Sequence, residues 1–252
     1  MSRRVDRAGT PEPGLPTPVI ALTPAALGRE ALDERDCPLP VARATLADLA
    51  VVNALFGGRS AAAFGLDRLL RDRRPGERLT LLDVGAGGGD IAAALARRAH
   101  GRGIELVPLT VDTHRAAAAL CREARLNPSV ASAAALPFRP ASVDIVLASQ
   151  LLHHFDRASA VALVHAFNGL ARLGVIVAEP RRTRWALGGI WLAALTLGLQ
   201  PVTRRDGILS VRRSFTAAEL KALLANAGIA GSVHRRRGFR LVAVWRARHA
   251  HG

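Results

Sequence analysis

The spacing of apolar and polar positions changes repeatedly along this chain. From Thr45 it is helical: Leu46, Leu49, Ala50 and Asn53 recur on one face. Thr45 and Asp48 provide a start signal, and Gly57-Gly58 a stop. A second helix is predicted from Ser60 to about Arg73, broken at Pro75-Gly76. The period then switches. RLTLLDV (78–84) reads as a buried strand, and 88–100 as a helix with Ile91, Ala94 and Leu95 on one side. IELVPLTVD is a strand, and 114–126 a helix stopped by Asn127-Pro128. A short strand at 129–132, the strand SVDIVLAS, a helix from Asp156 and the strand GVIVAEP follow. Thr216-x-x-Glu219 is a capping box, with Phe215 and Leu220 at its staple positions and Gly228 at the far end. AGSVHRR, a turn at Arg237-Gly238, and FRLVAVWRA read as an antiparallel hairpin.

Strands alternating with helices require a parallel sheet covered on both faces. The predicted fold is therefore α/β: a Rossmann-like, doubly wound, seven-stranded and mostly parallel sheet, with a C-terminal antiparallel hairpin and an N-terminal helical cap. Residues 1–43, rich in Pro, Gly and charge, are expected to be a mobile arm. The cap is expected at 44–75 and the main domain at 76–248, with a cap insertion around 181–213.

Charge and composition narrow the function. The formal charge of +15 at pH 7 points first to nucleic acid or an anionic membrane. The cations are almost all arginine, with Lys221 the one lysine, and they spread along the whole chain. Aromatics make up 4% and tyrosine is absent, which leaves little for stacking bases, so a nucleic-acid partner is disfavoured. Cys37 and Cys121 lie far apart and match no metal-ligand spacing, which fits a reducing, cytoplasmic setting. The first residues carry charge with no apolar run after them, unlike a secretory leader.

The chemistry concentrates in LLDVGAGGGD (81–90). In an open parallel sheet, ligands bind beyond the carboxyl ends of the strands. A strand ending in D-x-G-x-G-x-G presents bare backbone there, followed by the free N–H groups of a helix. The dinucleotide fingerprint G-x-G-x-x-G is not met, because Asp90 stands at the place of its last glycine. Asp90 and Asp83 would repel a pyrophosphate. Asp112, 27 residues after Gly85, stands where an acid would hold both hydroxyls of a ribose. The pocket is thus expected to take a nucleoside with a cationic tail.

On these residues the chain resembles the class I S-adenosylmethionine-dependent methyltransferases. LLDVGAGGGD is similar to their first motif, VDTH to their second, and LPFRPASVDIVLASQLLHHF to their fourth-strand block. VNALFGG, EPRRTRWAL, TRRDGILSVRRSFTAAEL and FRLVAVW further resemble a bacterial branch associated with type III polyketide synthases. The resemblance implies an enzyme that uses S-adenosylmethionine to methylate a small hydrophobic acceptor, through oxygen on a phenolic polyketide or lipid. It places Gly85, Ala86, Gly87 and Gly89 against the methionine part of the cofactor. It places Asp83 at the α-ammonium, and Asp112 and Thr113 at the ribose, though Thr113 could instead cap the next helix. The family's third strand usually ends in an acid for the adenine amine; here Ser132 and Ala133 stand in that stretch, which implies weaker cofactor binding. Ser149 and Gln150 are implied to line the cofactor and acceptor pocket.

His153 and His154 are candidate bases for the acceptor's proton, or a packing pair. Arg182 and Asp206 are candidates for orienting a polar acceptor head, with Glu179 and Arg181 at the same rim. WALGGIWLAALTLGLQPV is apolar but short for a membrane span. It is expected to cap the acceptor pocket and to touch the inner membrane surface peripherally. His100, His114 and His165 read as surface or packing residues, and no metal is expected. Four alternatives stay open: an RNA-binding or RNA-methylating protein, a C-methyltransferase of a quinone-like acceptor, a non-catalytic partner and a nicotinamide dehydrogenase. The oligomeric state and the acceptor's identity are left open.

Overall fold

The structure is a computed structural model that describes residues 28, 30–33 and 37–247. Most of the expected N-terminal arm lies outside these residues. Seven strands form one sheet in the order β3-β2-β1-β4-β5-β7-β6. They are β1 (Arg78–Val84), β2 (Glu105–Asp112), β3 (Asn127–Val130), β4 (Val143–Ser149), β5 (Ala171–Pro180), β6 (Ser232–Arg236) and β7 (Arg240–Arg246). The first five run parallel, and β7 pairs antiparallel with both β5 and β6. The predicted fold class is therefore the observed one.

The helices are α1 (Leu39–Leu55), α2 (Gly58–Leu69), α3 (Asp90–His100), α4 (Arg115–Glu123), α5 (Arg157–Leu170), α6 (Arg184–Leu197), α7 (Pro201–Arg213) and α8 (Ala217–Asn226). Period-2 alternation splits the core. Leu79 and Leu81 of β1 join Ile176 and Val242 under α2 and α3, while Leu82 and Val84 join Val175 and Val177 under α5 and α8. Asp83 follows Leu81 by two residues and so points to the same face as Leu79 and Leu81. A carboxylate ends up inside the protein because the pleat carries it there.

Several elements differ from the sequence reading. The first helix begins six residues early, at Leu39, with Pro40 in its first turn, so the expected arm loses its last residues to a helix. The second helix is no cap: Ala61, Ala62 and Leu66 are fully buried against the sheet, and Gly65 lets α2 approach Ile176. Asn127-Pro128 opens β3 rather than ending α4, which already stops at Ala124. The capping box on α8 and the hairpin turn at Arg237-Gly238 are as read.

Candidate functional site

β1 and β4 are neighbours although other elements separate them in sequence, and β2 leaves in the opposite direction. The ends of these strands diverge there and leave a crevice. A cavity of about 280 Å³ lies in it. The loop after β1 forms its floor. Gly85, Gly87 and Gly89 all take left-handed φ angles of +73°, +52° and +75°, which other residues adopt rarely. Gly85, Ala86 and Gly87 line the cavity, whereas Gly89 turns inward, where a Cβ would lie 2.9 Å from the Cys121 sulfur. Gly89 is thus a packing glycine at the start of α3.

Two acids lie at this floor, and Asp112 holds it. Asp112 accepts hydrogen bonds from the backbone N–H of Gly87 (2.9 Å) and of His114 (2.8 Å), which fixes its carboxylate on the cavity wall. Asp83 is 2% exposed, and its Oδ1 has no partner. Burial, reinforced by the nearby Asp90 and Asp112, pushes its acid up to about 8. The residues fit a nucleoside with a cationic amino-acid tail: an orphaned buried carboxyl awaits a positive donor, and a fixed acid stands beside bare backbone. Asp90 contributes less negative charge than its sequence position implied. It accepts from Arg59 Nε at 2.9 Å and from Asn53 at 3.2 Å, so a cation already sits on it. Asn53 in turn accepts from Gln150, whose backbone is left-handed at φ +55°.

Thr113, Ser132, Ala133, Ser149 and Gln150 all reach the cavity wall. The cap of α4 is His114, whose Nδ1 accepts from the Ala116 N–H, so the alternative role weighed for Thr113 falls to its neighbour. His114 also lines the cavity and is more than the packing residue expected. Ser132 Oγ accepts from the Ala134 N–H at 3.2 Å.

The opposite wall carries a cluster of acids and bases. His153 Nδ1 lies 2.6 Å from Glu179 Oε2, and both side chains are almost fully buried. Glu179 also accepts from the backbone of Leu151 and Leu152, which locks the short 3-10 turn Leu152–His154 to the end of β5. His154 Nδ1 lies 2.7 Å from Asp33 Oδ1. The remaining ring nitrogens face Glu30 at 3.7 Å (His153) and 3.9 Å (His154). Burial opposes charge on His153, but Glu179 and Glu30 outweigh it and raise the imidazole to about 9. Burial raises Glu30 and Asp33 as well, yet the histidines beside them hold both carboxyls below their usual range. Arg213 closes the cluster, 3.2 Å from Asp33 and 3.6 Å from Glu30. Among the described residues, only Glu30, His153 and His154 bring ligand atoms close enough to share a metal ion, within 4.8 Å of one another. The Arg213 guanidinium already supplies positive charge there.

Arg182 and Asp206 do not reach the cavity. Arg182 binds Glu219 and donates to the Ser214 carbonyl at 3.1 Å, which ties β5 to the start of α8. Asp206 accepts from the Ala31 N–H at 2.9 Å and anchors the segment that carries Glu30 and Asp33. No residue of α6 lines the cavity; Ser210 of α7 does. Glu30 and Asp33 escaped the sequence reading because their segment has no period and sits among prolines and glycines. Glu179 lies inside the protein rather than at the rim, in phase with the buried Val175 and Val177.

Residues 81–174 match a family described as methyltransferase domain. A comparison with curated proteins gave no match. Among solved structures, the chain is similar to an O-methyltransferase from neocarzinostatin biosynthesis, solved with S-adenosylmethionine and 2-hydroxy-5-methyl naphthoic acid. The identity is 19%, the TM-score 0.59, and the match covers 88% of this chain and 62% of that one. It is similar to a putative O-methyltransferase from Nostoc punctiforme (19%, 0.57, 88% and 66%). It is also similar to a SAM-dependent methyltransferase from Aquifex aeolicus (14%, 0.50, 72% and 89%). The chain thus spans just under two thirds of the length of the two O-methyltransferases. At these identities the likeness is one of fold.

Proposed function

We propose that this chain is a class I S-adenosylmethionine-dependent methyltransferase that methylates a hydroxyl of a small, apolar, phenolic acceptor; the methyltransferase-domain match over residues 81–174 supports it. The observation that carries this reading is the pairing of His154 with Asp33 on the cavity wall facing the glycine floor. The likenesses to two O-methyltransferases, one of them solved with a hydroxylated naphthoic acid, agree with it.

When bound, S-adenosylmethionine supplies an electrophilic methyl group on a positive sulfur. The chain's own residues do the rest. Gly85, Ala86 and Gly87 receive the amino-acid end, and Asp83 answers its ammonium. Asp112 holds the ribose hydroxyls, each charged hydrogen bond contributing about 1.5–3 kcal/mol. Ser132 and Ala133 border the adenine.

The two histidines have different tasks. His153 carries its proton at neutral pH and stays with Glu179, so it fixes the turn and keeps its neighbour's carboxylates charged. His154 is the proton acceptor: Asp33 holds its Nδ1–H, and Nε2, 3.9 Å from Glu30, takes the proton of the acceptor's hydroxyl. A phenol, with an ordinary pKa near 10, needs only this modest help. Leu46, Leu49 and Leu151 give the wall its apolar character and suit an aromatic ring or chain.

The test is incubation of the purified chain with methyl-labelled cofactor and phenols bearing apolar tails of increasing length. The expected product gains one methyl on oxygen, and His154→Ala slows turnover by about 10²–10⁴-fold while leaving cofactor affinity unchanged. Label on carbon, or no transfer to any phenol, overturns the reading.

A further inference from the structure

On the outer side of α6, Trp185, Leu192 and Leu195 follow one another at helical spacing and are 79%, 62% and 73% exposed. Trp191 adjoins them and is also exposed. A surface helix ordinarily turns charged residues to water. α6 has none after Arg184. Its inner side is already used: Ala186 and Ala193 are buried, and Ile190 lies against Gly207 of α7. The exposed stripe therefore has no partner within the described chain.

Beside it, α7 presents the opposite chemistry. Arg204, Arg205 and Arg212, with Pro201 and Ile208, line an open concavity of about 340 Å³. None of these three arginines forms an ion pair among the described residues. Arg204 lies 5.5 Å over the ring of Trp191, so the basic concavity and the apolar stripe share an edge.

We propose that this face docks on an anionic lipid bilayer, with the α6 stripe at the acyl boundary and the three arginines on headgroup phosphates. Tryptophans at such a boundary and cations beside it are what an interface of this kind selects. Fourteen helical residues reach only about 21 Å, short of the hydrocarbon thickness of about 30 Å, so the helix lies on the membrane. A second copy meeting this face by two-fold symmetry would set like-charged arginines against each other. A nucleic acid would use the arginines but leave the leucines in water.

The same helix links the surface to the chemistry. The outer side of α7 carries the arginines; its inner side puts Ser210 on the cavity wall and holds Glu30 and Asp33 through Ser210 and Arg213. Docking would bring the cavity to a lipid-dissolved acceptor. This purpose rests on the reading of an apolar acceptor, but the binding itself does not.

The experiment is flotation of the full chain with vesicles of phosphatidylcholine, alone or mixed with phosphatidylglycerol. Binding is expected to the mixed vesicles only, and to fall as salt rises. Leu192→Glu with Leu195→Glu should abolish it. Arg204→Gln with Arg205→Gln should weaken it about 25-fold, at roughly fivefold per cation near the surface. S-adenosylhomocysteine affinity, measured on each variant, confirms that the fold persists. The proposal is overturned by no flotation with anionic vesicles, or by flotation that ignores the α6 change. It is also overturned by a sedimenting dimer that Leu195→Glu dissolves, or by RNA binding that alone depends on Arg204 and Arg205. Methylation of a short, water-soluble phenol by the same samples keeps the two readings apart: it survives if only the docking is wrong, and fails without loss of flotation if only the acceptor class is wrong.

Discussion

His153 Nδ1 and Glu179 Oε2 lie 2.6 Å apart, both almost wholly shielded from water, at the meeting of β5 and the turn after β4. A buried pair of this kind stabilises only while both partners are charged, and removing one leaves the other stranded.

The histidine's pKa is raised in the folded state, so its contribution is complete below the unfolded value of about 6.5 and is lost as pH climbs through about 9. The shift corresponds to about 3 kcal/mol. Asp83 titrates over an overlapping range, so the measurement belongs in an Asp83→Asn background. There, urea unfolding should show stability falling between pH 6.5 and 9. The double variant with His153→Gln should be less stable at pH 6.5 and should lose the part of the fall that follows the imidazole near pH 9.

Asp83 moves stability in the same direction as His153 but for a different cause, burial of an acid without a partner. Its acid is raised, so the folded protein holds a proton between about pH 4 and 8 that the unfolded chain has released, and stability declines with pH across that window. A ligand that brings an ammonium to Asp83 must expel this proton at pH 7. Calorimetry with S-adenosylhomocysteine in buffers of different ionisation enthalpy should register the release of nearly one proton. Asp83→Asn should bind without release and more weakly. Equal proton counts in the two proteins would remove Asp83 from the ligand.

Arg182 faces Glu219 and the Ser214 carbonyl rather than the cavity. Arg182→Ala should therefore leave the acceptor's KM and kcat unchanged and cost at most about 1 kcal/mol of stability, as half-exposed pairs do. A rise in KM for acceptors with polar heads would return it to the binding site.

Gly65 brings α2 close to the sheet. A Cβ there would stand 2.5 Å from Ile176 Cγ2, too near for either to yield without moving the helix. Gly65→Ala should lower the unfolding free energy by about 1–3 kcal/mol, despite the better helix propensity of alanine. Ile176→Ala, which removes the γ carbons the new methyl would strike, should therefore cost less in the Gly65→Ala background than in the unaltered chain.

Much of this molecule could be read before its structure. The strand–glycine–helix passage at 78–100, the acid at the end of β2 and the capping box on α8 are local patterns with one physical solution each. Their elements fell within a few residues of the reading. The cavity wall made from residues in sequence order, Asp83 to Gln150, followed directly. What escaped depends on pairing across long separations. Nothing near Arg182 announces that Glu219 will take it, and nothing near Glu30 announces two histidines more than a hundred residues away. The apolar run at 185–202 was visible, but an unpartnered hydrophobic face looks the same in sequence as a buried one.

Asp206, Ser210 and Arg213 grip residues 30–33 from α7, and His154 grips them from the turn after β4. A shortened fragment cut to the signature-bearing strands would keep the glycine floor yet forfeit both carboxylates opposite it. On the proposed function, the smallest active fragment would start before Glu30 and continue past Arg213. On the same reading, removal of the chain through Asp33 would leave the glycine floor able to bind the cofactor and would stop turnover.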